Sequence, residues 1–396
     1  MSKNSMRAIT TLVVSIFIII IAGNIFFHQY LKNNDRGEHS VVNVLDFGAK
    51  SSHKADNTKA IQDAINSIEG SGGTVLIPEG EYIISQLKIP SYVELKGRGN
   101  STILKMKKQN NKPLLVLKSD TSQMVHLKNF MIIGNKSNQT SSATDAIHFV
   151  NTLNQDKMLK MSRIKEHDSR HLIENIYISE TKGNGLYIEG TGESRIKNVQ
   201  TLRTDGNGIY SNAQDNFFIN CSVGDSGLEG ILVGRASTNT HFINCKSWYS
   251  GRVNSERGDG FLINAVRVSI IGSEAQDNRK HGFVFGGNDI VGSGLLAESN
   301  GWLFEKNIRR ADGTGFVFLG AQNTNVQGVA ADRYTSSKDK SHQSYAVQLL
   351  NGARGNIVNI SSRGMHIGGI PSQNMDKNKV TIIETQSNGD VDTLGN

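Results

Sequence analysis

Through the middle of the chain one short pattern keeps returning: a polar residue, a glycine, then apolar positions that alternate with variable ones. It reads Asn184-Gly185-Leu186-Tyr187-Ile188, Asn207-Gly208-Ile209-Tyr210, Glu229-Gly230-Ile231-Leu232-Val233, Asp259-Gly260-Phe261-Leu262-Ile263, His281-Gly282-Phe283-Val284-Phe285 and Thr314-Gly315-Phe316-Val317-Phe318. The glycines lie 23, 22, 30, 22 and 33 residues apart. Period-two alternation marks strands, and a short repeat marks a solenoid whose coils bury their apolar faces only by stacking on their neighbours. A second apolar segment with a central asparagine recurs at Asn175, Asn198, Asn220 and Asn244, in steps of 23, 22 and 24, and Asn129 precedes Asn175 by 46. Amides stacked in this way hydrogen-bond along the solenoid axis, and asparagine tolerates the turn conformations that coils require. Helical repeats need Ala, Leu, Glu and Lys at a 3.6 period, whereas these coils are β-branched, aromatic and glycine-rich. The pattern predicts an all-β chain, a right-handed parallel β-helix.

Ahead of the coils the pattern changes to a helical one. Ala60, Ile61, Ala64, Ile65 and Ile68 share one face of a helix predicted from about Asn57 to Glu69, with Asp56 as N-cap and Gly70-Ser71-Gly72-Gly73 as its stop. Lying over the open end of a solenoid, such a helix covers exposed core and unpaired strand edge. Further upstream, residues 8–27 form an uncharged apolar run long enough to span a bilayer, preceded by Lys3 and Arg7. The expected organisation is a cytoplasmic tail over 1–7, a transmembrane signal anchor over 8–27, a linker over 28–40 and the β-helix over 41–396. The run exceeds a usual signal-peptide core, and Ala22-Gly23-Asn24 is a poor cleavage site, which favours an uncleaved anchor. The β-helix is then extracytoplasmic, at the cell membrane through its single pass, or secreted if the segment is cleaved.

Composition fits one elongated domain: 41 glycines serve many tight turns, and 4 prolines spare the strand ladders. The formal charge of +7 comes from 43 basic and 36 acidic residues, too diluted to argue for nucleic acid. Cys221 and Cys245 follow the ladder asparagines of adjacent coils, as small buried filler.

Candidate chemistry lies in the column before the glycines. Stacked at strand spacing, Glu229, Asp259 and His281 span about 10 Å, in line with Asn184 and Asn207. One residue earlier the column reads Leu228, Gly258 and Lys280, and two earlier Gly227, Arg257 and Arg279. Acids stacked this closely repel unless something uses or compensates them. The two long steps are insertions that frame the line. The first carries Trp248, Tyr249, Glu256 and Arg257, and the second Glu298, Lys306, Arg309, Arg310 and Asp312. Departures from regular coil length are where solenoids build clefts, and Trp248 and Tyr249, with Tyr210, are candidate sugar contacts.

Asn43-Val44-Leu45-Asp46-Phe47-Gly48-Ala49, Asp56-Asn57-Thr58-Lys59-Ala60-Ile61-Gln62-Asp63-Ala64-Ile65 and Gly72-Gly73-Thr74-Val75-Leu76-Ile77-Pro78-Glu79-Gly80-Glu81-Tyr82 resemble the opening signature of the pectate-lyase-like β-helix superfamily. That superfamily holds pectate lyases, polygalacturonases, rhamnogalacturonases, mannuronan C-5 epimerases and tailspike depolymerases, so the resemblance implies a polysaccharide partner. Asp259-Gly260-Phe261 followed by Asp277-Asn278-Arg279-Lys280-His281-Gly282-Phe283 is similar to a pair of segments in the mannuronan C-5 epimerases, which implies Asp259 as a catalytic-site acid. The preceding coil departs from those enzymes: Glu229-Gly230-Ile231-Leu232-Val233-Gly234 stands where they carry a catalytic tyrosine and histidine.

Two chemistries stay open on these residues. In elimination or epimerisation of an anionic, uronate-containing polysaccharide, Arg257, Arg279 and Lys280, or a Ca2+ ion held by Asp259 and Glu229, neutralise the sugar carboxylate while His281 or a lysine takes the α-proton. In hydrolysis Glu229 and Asp259 are the carboxylate pair. A third expectation is a β-helix that binds polysaccharide without turning it over.

Overall fold

The computed structural model describes residues 40–51, 54–152, 169–254, 256–303, 308–309, 312–333, 342–365, 367, 374–385 and 391–395. The expected tail, membrane anchor and most of the linker fall outside them. Among the described residues, no helix is long and apolar enough to cross a membrane.

The glycine-led segments form a ten-stranded parallel sheet, and the asparagine-centred segments form a larger one of nineteen strands. In the ten-stranded sheet Leu186, Ile209, Ile231, Phe261, Phe283 and Phe316 are in register on successive coils. Their side chains point inward and are fully buried. The phenylalanines stack along the axis, with ring centroids 4.8 Å apart for Phe261 and Phe283 and 5.5 Å for Phe283 and Phe316. Stacked rings and β-branched residues fill each coil's interior, so the period-two pattern became a continuous core. The outward positions of the same strands are Tyr187, Tyr210, Leu232, Leu262, Val284 and Val317.

In the nineteen-stranded sheet the asparagines mark a kink. Early coils run through it as single strands, Leu172–Ser179 and Arg195–Leu202, while later coils split into Phe217–Ile219 and Ser222–Gly224. Asn129, Asn175, Asn198, Asn220 and Asn244 all have φ between 51 and 59, a left-handed conformation that asparagine adopts more readily than most residues. Each side-chain amide donates to the oxygen of the asparagine one coil below, at 2.9, 2.8, 3.2 and 3.4 Å. The ladder stops at Gly272, which keeps the left-handed backbone at φ 59 and lacks the amide. Cys221 and Cys245 are buried free thiols packed over backbone carbonyls, as filler should be.

The capping helix spans Thr58–Ser67, shorter at both ends than the sequence suggests, with Ile61, Ala64 and Ile65 buried. Asn57 instead of Asp56 holds the N-cap position, with its side chain turned to Lys50 N at 2.7 Å, and Asp56 one residue earlier supplies the side-chain acceptor for Thr58 N at 3.0 Å. The helix covers an edge as expected. Gln62 accepts from Lys88 N at 2.9 Å and donates to Lys88 O at 3.0 Å, satisfying the outermost strand of the ten-stranded sheet, Leu87–Ile89. At the other end Val391–Gly395 folds antiparallel onto Lys379–Thr385.

Candidate functional site

The column before the glycines is a backbone ladder. Gly208 N donates to Glu229 O at 3.2 Å, Gly230 N to Asp259 O at 3.0 Å, Gly260 N to His281 O at 2.9 Å and Gly282 N to Thr314 O at 2.9 Å. Glu229, Asp259 and His281 therefore stand on consecutive coils, as the spacing predicts. The following glycines are required by close approach: a Cβ on Gly230 would come within 1.8 Å of Ser247 Oγ. The ladder also extends downward. Ala146 N donates to Asn184 O at 3.2 Å, which makes Asp145 a member of the column. The repeat pattern does not single it out because Ala146 stands in the place of the glycine, although Asp145-Ala146-Ile147-His148-Phe149 has the same polar, small and alternating pattern.

Both insertions leave and rejoin the coil through a pair of touching glycines. A Cβ on Gly258 would lie 2.6 Å from Gly251 Cα, and one on Gly313 would lie 2.5 Å from Gly301 Cα. No other residue fits such a neck. This geometry corrects one expectation. Arg257 and Arg279 do not share a column, because Arg257 belongs to the loop above its neck while Arg279 N donates to Ser250 O at 3.0 Å. Arg279 is 4% exposed, and its Nε donates to Gly251 O at 2.5 Å, bracing the neck.

Arg257 reaches back from the loop to the coil below, where Nε and Nη2 grip both oxygens of Glu229. Glu229 is 1% exposed, so the fork satisfies a carboxylate taken out of water. Asp259, 5% exposed, accepts from His281 N at 3.2 Å. Burial pushes its pKa up, opposed by Lys280, the His281 N–H and Arg257, while Asp312 adds repulsion. His281 is 9% exposed and Lys280 is half-buried. One carboxylate is thus locked to a cation, and the next carries a raised pKa with cations facing it. The two acids do not form a cage for Ca2+, because Arg257 occupies both oxygens of Glu229. Among the described residues no three His, Cys, Asp or Glu side chains converge on one point.

The remaining sequence candidates disperse. Trp248 lies on the nineteen-stranded sheet in register with Gly224, whose added Cβ would meet its ring at 2.4 Å, and Lys246 Nζ sits 5.9 Å from the ring centroid. Tyr249 stands at the corner, 5.6 Å from Trp302, which in turn stacks on His342 at 5.1 Å. Trp302 and His342, at the bases of later insertions, carry no signal in the sequence because neither belongs to the repeat. Glu256 is exposed, its N–H on Asn254 Oδ1 at 2.9 Å. Tyr210 points outward from the ten-stranded sheet beside the column, stacked on Tyr187 at 4.7 Å. A shallow cavity of about 620 Å³ on the nineteen-stranded sheet, lined by residues such as Ser293, Gln327, Asn359 and Ile383, holds no titratable side chain and lies apart from the column.

Over 110 residues the chain is 36% identical to Alginate lyase 7 of Azotobacter vinelandii, a stretch amounting to 24% of this chain and only 13% of that protein. The mannuronan C-5 epimerase AlgE4 A-module of Azotobacter vinelandii has the same fold, with a TM-score of 0.62 at 17% identity over 83% of this chain and 97% of that one. Tailspike protein 2 of bacteriophage CBA120 gives a TM-score of 0.66 at 15% identity over 81% of this chain and 48% of that one. Identities this low show shared architecture and nothing finer. Residues 41–255, which include Glu229 and stop just short of Asp259, match the family described as Rhamnogalacturonase A/epimerase, pectate lyase-like. The chain belongs to the rhamnogalacturonase A/epimerase family of pectate lyase-like proteins.

Proposed function

We propose that this protein is a membrane-tethered, extracytoplasmic polysaccharide lyase or epimerase that acts on uronate units at the line Glu229–Asp259–His281, with residues 8–27 as its tether. The observation that carries the reading is Asp259: a buried carboxyl of raised pKa, faced by Lys280 and Arg257 one coil to either side. Removing the proton α to a sugar carboxylate requires that carboxylate to be neutralised, and Lys280 supplies the charge. His281 takes the proton from C5. In elimination the C4–O4 bond then breaks, a C4=C5 double bond forms and Asp259 delivers its proton to O4; in epimerisation C5 is reprotonated from the opposite face. The names of the alginate lyase and the mannuronan C-5 epimerase that the chain resembles fit these two outcomes. Hydrolysis is the weaker reading because Arg257 occupies both oxygens of Glu229, leaving neither free to act on water or on the sugar.

The test is solvent-deuterium exchange at C5 of oligouronates, followed by NMR together with the ultraviolet absorbance of the unsaturated product. Asp259→Asn should lower the rate by about 10²–10⁴-fold while oligouronate binding persists. Parental turnover in that variant would sink the assignment, and absence of exchange on every uronate polymer tried would leave a binding protein.

A further inference from the structure

On the three coils directly below the acid line, the outer face of the same sheet carries a row of polar-edged rings. His148 stacks on Tyr187 with centroids 4.3 Å apart and planes 11° from parallel, and Tyr187 stacks on Tyr210 at 4.7 Å and 29°. Rings stacked along the axis occupy each other's faces, so they present their edges to solvent. Those edges are ordered. Asp145 is buried; its Oδ1 accepts from Asn184 N at 2.6 Å and Nδ2 at 3.0 Å, leaving Oδ2 for His148 Nδ1 at 2.7 Å. This fixes the imidazole with Nε2 outward, 30% of the side chain being exposed. The Tyr187 hydroxyl donates to Glu189 on the next outward position of its own strand. Cations at the adjoining corner are already matched: Lys136 and Lys182 to Asp205 at 3.2 and 3.1 Å, and Arg203 to Glu180. Lys88 is two coils further down.

We propose that His148, Tyr187, Glu189 and Tyr210 form a binding site for uncharged sugar units, so that the polymer recognised is a heteropolysaccharide with neutral residues to one side of the uronate. Sugar hydroxyls both donate and accept, as does this row of imidazole, phenol and carboxylate edges spaced one coil apart, about 4.8 Å. A uronate would meet Glu189 and find no cation committed to it, whereas at the acid line it meets Lys280. The assignment of neutral units beside a uronate rests on the proposed function; the sugar site itself does not.

Binding by the full chain to an array of neutral, homo-uronate and mixed oligosaccharides tests it, with the parent compared against a Tyr187→Phe/Tyr210→Phe double variant. The variant keeps both rings and their stack, so thermal stability should hold, but it loses the two hydroxyls. Affinity for mixed oligosaccharides should fall at least tenfold while homo-uronate binding is unchanged. Equal affinity of parent and variant for every bound glycan, a loss confined to homo-uronates, or an array on which nothing binds would each overturn the site. Failure of the enzymatic reading shows separately, as absent C5 exchange with hydroxyl-dependent binding intact.

Discussion

On the ten-stranded sheet, coils from Asp145 to Asn207 hold an open row of half-buried rings, while coils from Glu229 to His281 hold buried acids roofed by an arginine from an insertion. Both stretches share one backbone ladder, and in the lower one each column side chain caps the next coil. Asp145 Oδ1 accepts from Asn184 N, and Asn184 Oδ1 accepts from Asn207 N at 2.9 Å. The relay breaks between Asn207 and Glu229: Asn207 Oδ1 is buried without a partner among the described residues, and the Glu229 carboxylate accepts from Arg257. It resumes from Asp259 to His281. The outward positions close in the same direction, from half-buried Tyr187, Tyr210, Leu232 and Leu262 to buried Val284 and Val317. One inserted loop, through one arginine, is enough to convert a turn-forming column into a charged site.

The scaffolds beneath the two stretches differ as well. The exposed asparagine ladder runs through the open coils and ends at Asn244, on the coil of Asp259, and from the coil of His281 a second, buried ladder runs through Asn278, Asn300 and Gln343. In it Asn300 Oδ1 accepts from Asn278 N and Nδ2 at 3.2 and 2.9 Å, and Gln343 Oε1 accepts from Asn300 Nδ2 at 3.1 Å. Asn300→Ala strips partners from the buried Asn278 amide and Ala275 O, and should cost about 3 kcal/mol, read as a fall in the denaturation midpoint. A loss below about 1 kcal/mol would show that the buried ladder is not what steadies the acid line.

A smaller effect separates the regions by pH. Asp277, next to the covered line, has its pKa raised to about 6 by burial, against the pull of Arg333 at 2.6 Å. A folded pKa above the unfolded value means stability fully present below about pH 4 and lost as the pH rises through 6. Between pH 4 and pH 7 the parent should lose about 2 kcal/mol through this group, a figure discounted because Arg333 is about one-third exposed. Denaturant midpoints of parent and Asp277→Asn should draw apart by this amount as the pH rises from 4 to 7 if the assignment is right, and keep a constant difference if it is wrong.

The smallest effect belongs to the open side. Asn198→Ala forces alanine to φ 51 and breaks two exposed ladder bonds, at a cost of about 1–2 kcal/mol, while Asn198→Gly should recover most of it. If glycine is no better than alanine, the amides and not the backbone conformation sustain the ladder.

Much of this molecule was legible from the chain. The period of the glycines and asparagines fixed the solenoid, the ladder, the thiol filler and the order of Glu229, Asp259 and His281, because in a solenoid equal sequence positions become neighbours one strand spacing apart. What lies off the repeat was not. Asp145 hid behind an alanine, Arg257 and Arg279 looked equivalent by counting and are not, and Trp248 faces another sheet from the acids. The aromatic file through Trp302 and His342 and the His148 row required the coils to be closed. Sequence determined which residues stack, since stacking follows from period; only the tertiary structure decided which of them are buried, paired or open. Those properties depend on where an insertion folds back across the coil, and no period constrains that.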